Sequence, residues 1–227
     1  MKEADQIIQS ANKEMQPMLR SAYNYNSSFS LSNDQQKLLS RILFTMSIVD
    51  RKFFVEEHPY IDTARGIGKG QTISQPSTVA RMLILAELRE GDRVLEVGTG
   101  SGWNACLISL LVYSGSVLSI DRFLELTEKA QENIKKLKNA LKNTHPEDIE
   151  KLKLAIKAAN IFDLKSKSNF DKIIITAGIK SEEQKKDIED LALKLLNKNG
   201  VLICPRIHGP MIIFDKQSAK KIESNEA

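Results

Sequence analysis

The chain has 227 residues, 41% of them hydrophobic and 27% charged, and its 33 Lys and Arg against 29 Asp and Glu leave a net charge of only +4. That surplus is too small to imply nucleic acid by itself, and the interleaving of lysines with glutamates reads as solvated helix faces. No stretch approaches the ~20 apolar residues of a membrane span, and MKEADQIIQ lacks the apolar core of a signal peptide. Cys106 and Cys204 sit in apolar runs, where reduced buried thiols are expected, so the reading is a cytoplasmic protein.

In chain order, the first 33 residues are polar, with Met15, Met18 and Leu19 in loose helical spacing, followed by an Asn- and Ser-rich connector. From Asp34, a plausible cap, Leu38, Leu39, Ile42, Leu43 and Met46 form one helical stripe. Residues 49–76 look irregular, broken by Pro59, Gly66, Gly68, Gly70 and Pro76, and loops of that length are usually functional. Pro76 suits the first turn of an apolar helix that ends at the Gly91-Asp92 turn. The pattern then predicts strands over 93–97, 116–120, 152–158, 170–176, 201–204 and 211–214, the fifth after an Asn199-Gly200 turn. Helices are expected over 103–113, 123–142 and 182–196, and a polar tail from Lys216. Strands alternating with helices predict an α/β fold built on a doubly wound, mostly parallel sheet. One domain is expected: an N-terminal helical and loop segment (1–76), an α/β core (77–215) and the tail (216–227).

In such a sheet, ligands bind beyond the carboxyl ends of the strands, where the first strand opens a crevice. Gly98, Gly100 and Gly102 form G-x-G-x-G there, letting the backbone approach a ligand closely. Trp103 occupies the place of the third glycine of the dinucleotide fingerprint, so a pyrophosphate, and with it a nicotinamide dehydrogenase, fits poorly. A compact nucleoside with an amino-acid tail, such as S-adenosylmethionine, remains. Glu96, ending the first strand, is placed to bind a cationic amino group or organise contacts to it, directly or through water. Asp121, closing the second strand, is placed to accept both hydroxyls of a ribose. The plainer alternative is that the glycines only make a turn and Asp121 only caps the next helix. His58, His145 and His208 form no triad or metal-ligand spacing, so no metal is expected.

RVLEVGTGSGW, followed by SVLSIDR and preceded by IGKGQTISQPSTVARML, resembles the protein-L-isoaspartate O-methyltransferases, a family of the class I S-adenosylmethionine-dependent superfamily with a Rossmann-like fold. The resemblance covers about residues 54–214, and GQTISQP is its most specific part. It implies S-adenosylmethionine as methyl donor, no metal, and methylation of L-isoaspartyl residues in damaged proteins. Isoaspartyl peptides would be the partner of a monomer acting on neither nucleic acid nor membrane. Carried over by matching positions, Ser74 becomes the active-site residue. Gly70, Gln71, Thr72, Ile73 and Val79 would border the cofactor, together with Glu96, Gly98, Thr99, Gly100, Ser101, Gly102, Asp121, Arg122 and the Asn160-Ile161 pair.

A carboxylate acceptor with a pKa near ~3.5 to 4 is already ionised at neutral pH, so no strong base is required and Ser74 would orient it. On spacing alone Ser74 could instead cap the helix that begins at Pro76. Ala159-Asn160-Ile161 stands where the family usually has Gly-Asp-Gly, and residues 129–153 are longer and richer in lysine than expected. The chain is also read as ending in a shortened C-terminus, where relatives continue into a last strand. Another carboxylate acceptor, or a catalytically silent S-adenosylmethionine-binding module, are the competing readings.

Overall fold

The computed structural model describes residues 2–164, 170–179, 181–206, 209–217 and 220–223; His208 and part of the tail lie outside them. Three helices open the chain: α1 (Lys2–Ser10), α2 (Gln16–Ser27) and α3 (Asn33–Ile48). α2 runs into the stretch expected to be a connector, because Met18, Leu19, Ala22 and Asn26 fall on one buried face. Asn26 Nδ2 donates to the carbonyls of Ala22 (2.9 Å) and Ser77 (3.1 Å), which docks α2 on the helix that begins at Pro76. α3 is capped by Ser32, not Asp34: Ser32 Oγ accepts from Gln35 N while the Gln35 side chain accepts from Ser32 N.

Residues 49–76 are less irregular than their glycines and prolines imply. A 3-10 turn (Arg51–Phe53) is followed by an antiparallel hairpin of β1 (Arg65–Gly68) and β2 (Gln71–Ile73). Its tip passes through Gly68, Lys69 and Gly70, all at positive φ (101°, 53° and 67°), which two glycines make accessible.

The remaining elements are α4 (Pro76–Leu85), β3 (Arg93–Val97), α5 (Trp103–Leu111), β4 (Ser116–Asp121), α6 (Leu124–Leu141), α7 (Pro146–Lys151), β5 (Leu154–Ala158), a 3-10 turn (Ile161–Asp163), β6 (Phe170–Ile175), α8 (Glu182–Leu195), β7 (Leu196–Cys204), β8 (Ile212–Asp215) and β9 (Lys220–Glu223). They build a seven-stranded sheet in the order β5-β4-β3-β6-β7-β8-β9. Strands β3 to β7 are parallel, and β8 and β9 are antiparallel. Alternation along the strands feeds two cores. Val94, Ile174 and Ile203 face α4, α5 and the N-terminal helices, whereas Leu95, Ile173 and Leu202 face α8. Burying side chains of this size contributes about 1.5–3 kcal/mol each.

Two expectations are corrected. The Asn199-Gly200 pair is not a turn before a strand but lies within β7, where the pairing with β6 shifts register. The stretch read as a polar tail contains β9, which pairs with β8 from Ile212↔Glu223 to Asp215↔Lys220. The lysine-rich segment holds the end of α6 and a short helix, α7, started by Pro146 and carrying a Lys151–Asp148 ion pair at 2.8 Å.

Candidate active site

Strand order reverses between β3 and β6: the chain builds outward through β4 and β5, then crosses back to lay β6 on the other side of β3. A crevice opens at the carboxyl ends of those strands. There the backbone turns through Gly98, Gly100 and Gly102, at φ of 101°, 52° and 89°. The amides of Gly98 and Thr99 both donate to the Ile120 carbonyl, at 2.8 and 3.1 Å, tying the turn to the end of β4. A Cβ on Gly98 would collide with Thr176 Oγ1, the hydroxyl at the end of β6, which lies 3.1 Å from the Val97 carbonyl and 2.9 Å from that of Gly98. Gly102 does a different job from the one expected. It precedes α5 in the left-handed region, where a Cβ would sit 3.1 Å from that of Ala130 on α6, so it lets two helices approach and does not line the cleft.

Glu96 is fully buried, and it meets the chamber beside the turn through Asn104. Asn104 Nδ2 donates to its Oε1 (2.8 Å) and Ser119 Oγ to its Oε2 (2.5 Å), and Ser119 Oγ lies 2.6 Å from Thr99 Oγ1. Burial pushes the carboxyl up to about 7, opposed by those two hydrogen bonds. Its reach into the site therefore runs through Asn104 and, by way of Ser119, Thr99. Asn104 Oδ1, on a side chain lining a small chamber beside the glycine turn, is buried without a partner. An orphan acceptor there suits an incoming ammonium group.

Asp121 does line the main cleft. Its Oδ2 accepts from Gly100 N (2.9 Å) and its Oδ1 from Phe123 N (3.0 Å), one bond per oxygen, so each keeps a lone pair for a hydroxyl. Across the cleft, Asn160 Oδ1 accepts from Phe162 N at 3.2 Å and caps the 3-10 turn. That carbonyl is thus already engaged, and its second lone pair is what a ligand could use.

The hairpin roofs this turn. A Cβ on Gly100 would meet Ile67 Cδ1 of β1 at 3.2 Å, and at the tip Lys69 Nζ pairs with Glu125 Oε1 of α6 at 2.6 Å. Beyond β2 comes Ser74. The cap it could have supplied to α4 is provided by Asp62, whose Oδ1 accepts from Ser77 N (2.8 Å) while its Oδ2 accepts from Gln75 Nε2 (3.2 Å). Ser74 is half-buried, and its carbonyl accepts from Arg51 Nη2 at 3.2 Å. Its hydroxyl makes no hydrogen bond among the described residues.

These parts enclose a cleft of about 850 Å³. Gly70, Gln71, Thr72, Ser74, Gly98, Gly100, Asp121, Arg122, Asn160 and Ile161 line it, as the sequence reading expects of them. Ile73, Val79, Thr99 and Ser101 line the adjoining chamber, which Thr72, Ser74, Gly98 and Gly100 share. The sequence reading missed Phe123, exposed Phe162, Thr176 and the α8 wall of Gln184, Asp187, Ile188 and Leu191. No motif marks these residues, because the crossover that places α8 beside the 3-10 turn is a property of the topology. Among the described residues, no group of three or more His, Cys, Asp or Glu side chains is placed to hold a metal ion.

A sheet of this order, with a glycine turn after its first parallel strand and an acid after the next, defines the class I methyltransferase fold. Among solved structures, a Plasmodium falciparum chain reported as a protein-L-isoaspartate O-methyltransferase in complex with S-adenosyl-L-homocysteine superimposes with a TM-score of 0.70, covering 93% of this chain and 95% of that one at 23% identity. Residues 29–227 match the family model for protein-L-isoaspartate(D-aspartate) O-methyltransferase, and the chain belongs to that family. Curated relatives carrying the name protein-L-isoaspartate O-methyltransferase include one from Fervidobacterium nodosum, 37% identical over 73% of this chain and 77% of the relative. Another, from Methanococcus aeolicus, is 32% identical over 84% and 82%.

Proposed function

We propose that the chain, acting as a single-domain monomer, methylates the α-carboxylate of L-isoaspartyl residues in damaged proteins, with S-adenosylmethionine as donor. One observation carries this reading: Ser74, relieved of helix capping by Asp62, walls the same chamber as Gly98, Thr99 and Gly100 of the glycine turn. The names of the relatives point to the same acceptor. The donor's two ends fit the groups present, with Asp121 for ribose hydroxyls and the orphan Asn104 Oδ1 for an ammonium. Gly98 and Gly100 leave the backbone bare between them. The free thiols of Cys106 and Cys204 are buried, which suits a reducing compartment.

The bound donor supplies an electrophilic methyl carbon on a cationic sulfur; the protein's task is alignment and exclusion of water. The acceptor carboxylate is ionised at neutral pH, so no proton has to be removed. Ser74 donates a hydrogen bond to one carboxylate oxygen and fixes which lone pair of the other faces the methyl group. The hairpin covers the site and keeps water from competing. Ser74→Ala is expected to lower kcat on an isoaspartyl peptide by about 10²-fold while leaving donor affinity, measured by calorimetry, within a few-fold. The product should be a base-labile methyl ester, absent on the aspartyl twin of the peptide. Equal labelling of the two peptides would mean that a different carboxylate is the acceptor.

A further inference from the structure

Arg51 is fully buried, yet it makes no ion pair among the described residues. Its guanidinium sits in a cage of backbone carbonyls instead: Nη1 donates to Pro59 (2.7 Å) and Ile61 (3.4 Å), and Nη2 to Thr63 (3.1 Å) and Ser74 (3.2 Å). The guanidinium carbon lies 5.4 Å from the ring centroid of Trp103, the residue that follows the glycine turn. Trp103 Nε1 in turn donates to the Val49 carbonyl at 2.9 Å, two residues before Arg51. One planar cation therefore touches both halves of the site: the acceptor loop through the Ser74 carbonyl, and the start of α5 through the indole face.

A buried charge is costly to retain. Desolvation lowers the Arg51 pKa to about 10, with Asp62 the main opposing charge. An apolar side chain of similar volume would fill the space without that cost, so packing alone does not account for an arginine here. Its planar fork can meet several carbonyls at once, which a lysine cannot.

We propose that Arg51 is a positioning residue for methyl transfer: by holding the Ser74 carbonyl and stacking on Trp103, it sets where the Ser74 hydroxyl stands relative to the glycine turn. This rests on the role assigned to Ser74 above. Arg51 touches no substrate; it acts through the loop. The cage spans residues 59–63 and 74, so the whole loop is braced from one point, whereas the β1–β2 hairpin hangs between the braced ends.

The test uses the full chain with Arg51→Lys, which keeps the charge but not the fork, and Arg51→Met, which removes the buried charge. Either variant should lower kcat at least 10-fold, with donor affinity by calorimetry within 3-fold of the parent. Combined with Ser74→Ala, neither should fall below the worse single mutant, because both act on one interaction. Hydrogen exchange across residues 59–75 should accelerate in both variants with no ligand present, while unaltered protection of the sheet amides reports that the core is intact. Unchanged kcat, multiplicative losses in the double mutants, or unaltered exchange would overturn the proposal. So would failure of both variants to fold, which would make Arg51 a purely structural residue. If the parent enzyme forms no ester on an isoaspartyl peptide, the functional reading fails, and exchange still decides whether Arg51 braces the loop.

Discussion

The two loops that meet in the cleft are held in opposite ways. The glycine turn is local: five residues of β3 lead into it, its amides bond to the end of β4, and Thr176 closes on it from β6. These partners are strand ends that the sheet already fixes, and Asn133 of α6 adds a bond to the Ser101 carbonyl at 3.1 Å. The acceptor loop has no such frame. Its shape depends on two side chains distant in sequence or topology, Asp62 on the first turn of α4 and Arg51 on four carbonyls. The donor side is thus rigid because it belongs to the sheet, and the acceptor side is ordered only as far as these contacts hold it. That difference suits a site that must grip one invariant small molecule and admit varied polypeptides.

The strongest way to break the comparison is to damage the rigid half. Gly98→Ala places a Cβ against Thr176 Oγ1 at a φ of 101°, and should cost about 2–4 kcal/mol of stability and abolish donor binding. Thr176→Ala in the same chain should recover part of both, read by denaturant midpoint and calorimetry.

A smaller effect comes from the buried acid behind the turn. Because burial raises the Glu96 pKa from 4.5 to about 7, its contribution to stability is fullest below pH 4.5 and is lost as the pH climbs through 7. The stability difference between the parent and Glu96→Gln, followed against pH, should shift by roughly 3 kcal/mol in favour of the variant across that window. A flat difference would show that the carboxyl is not held neutral by burial.

The smallest effect sharpens the contrast. Asp62→Ala removes the α4 cap and should cost about 1 kcal/mol, with a drop in kcat and unchanged donor affinity. Weaker donor binding in that variant would mean that the two loops are not energetically separate.

What was legible in the sequence follows the same division. RVLEVGTGSGW and SVLSID announce strand, turn and acid because each is specified by neighbours within a few residues. Asp121 and Gly98 accordingly fall where the pattern puts them. The full burial of Glu96 and the packing of Gly102 against α6 are not legible in the motif, since which side of a buried strand faces the cleft is decided by the helices that pack on it. The hairpin was hidden because Lys69 adopts a left-handed conformation between two glycines, and glycine-rich text reads as disorder of pattern. β9 was hidden for another reason. An edge strand is kept soluble by charge, and KKIE is indistinguishable from a polar tail until β8 is there to pair with it. Spacing alone could not tell whether Ser74 caps α4; the fold brings Asp62 to the α4 amide, which no local sequence signal announces.

The Lys69–Glu125 pair at the hairpin tip has a consequence of its own. Its two side chains are 44% and 59% exposed, so dissolved ions screen it readily, while Arg51 and Glu96 are fully buried. If departure of the spent donor requires the tip to leave α6, ionic strength acts on that event. The same enzyme should run faster in salt when departure is limiting, and show no gain when chemistry is.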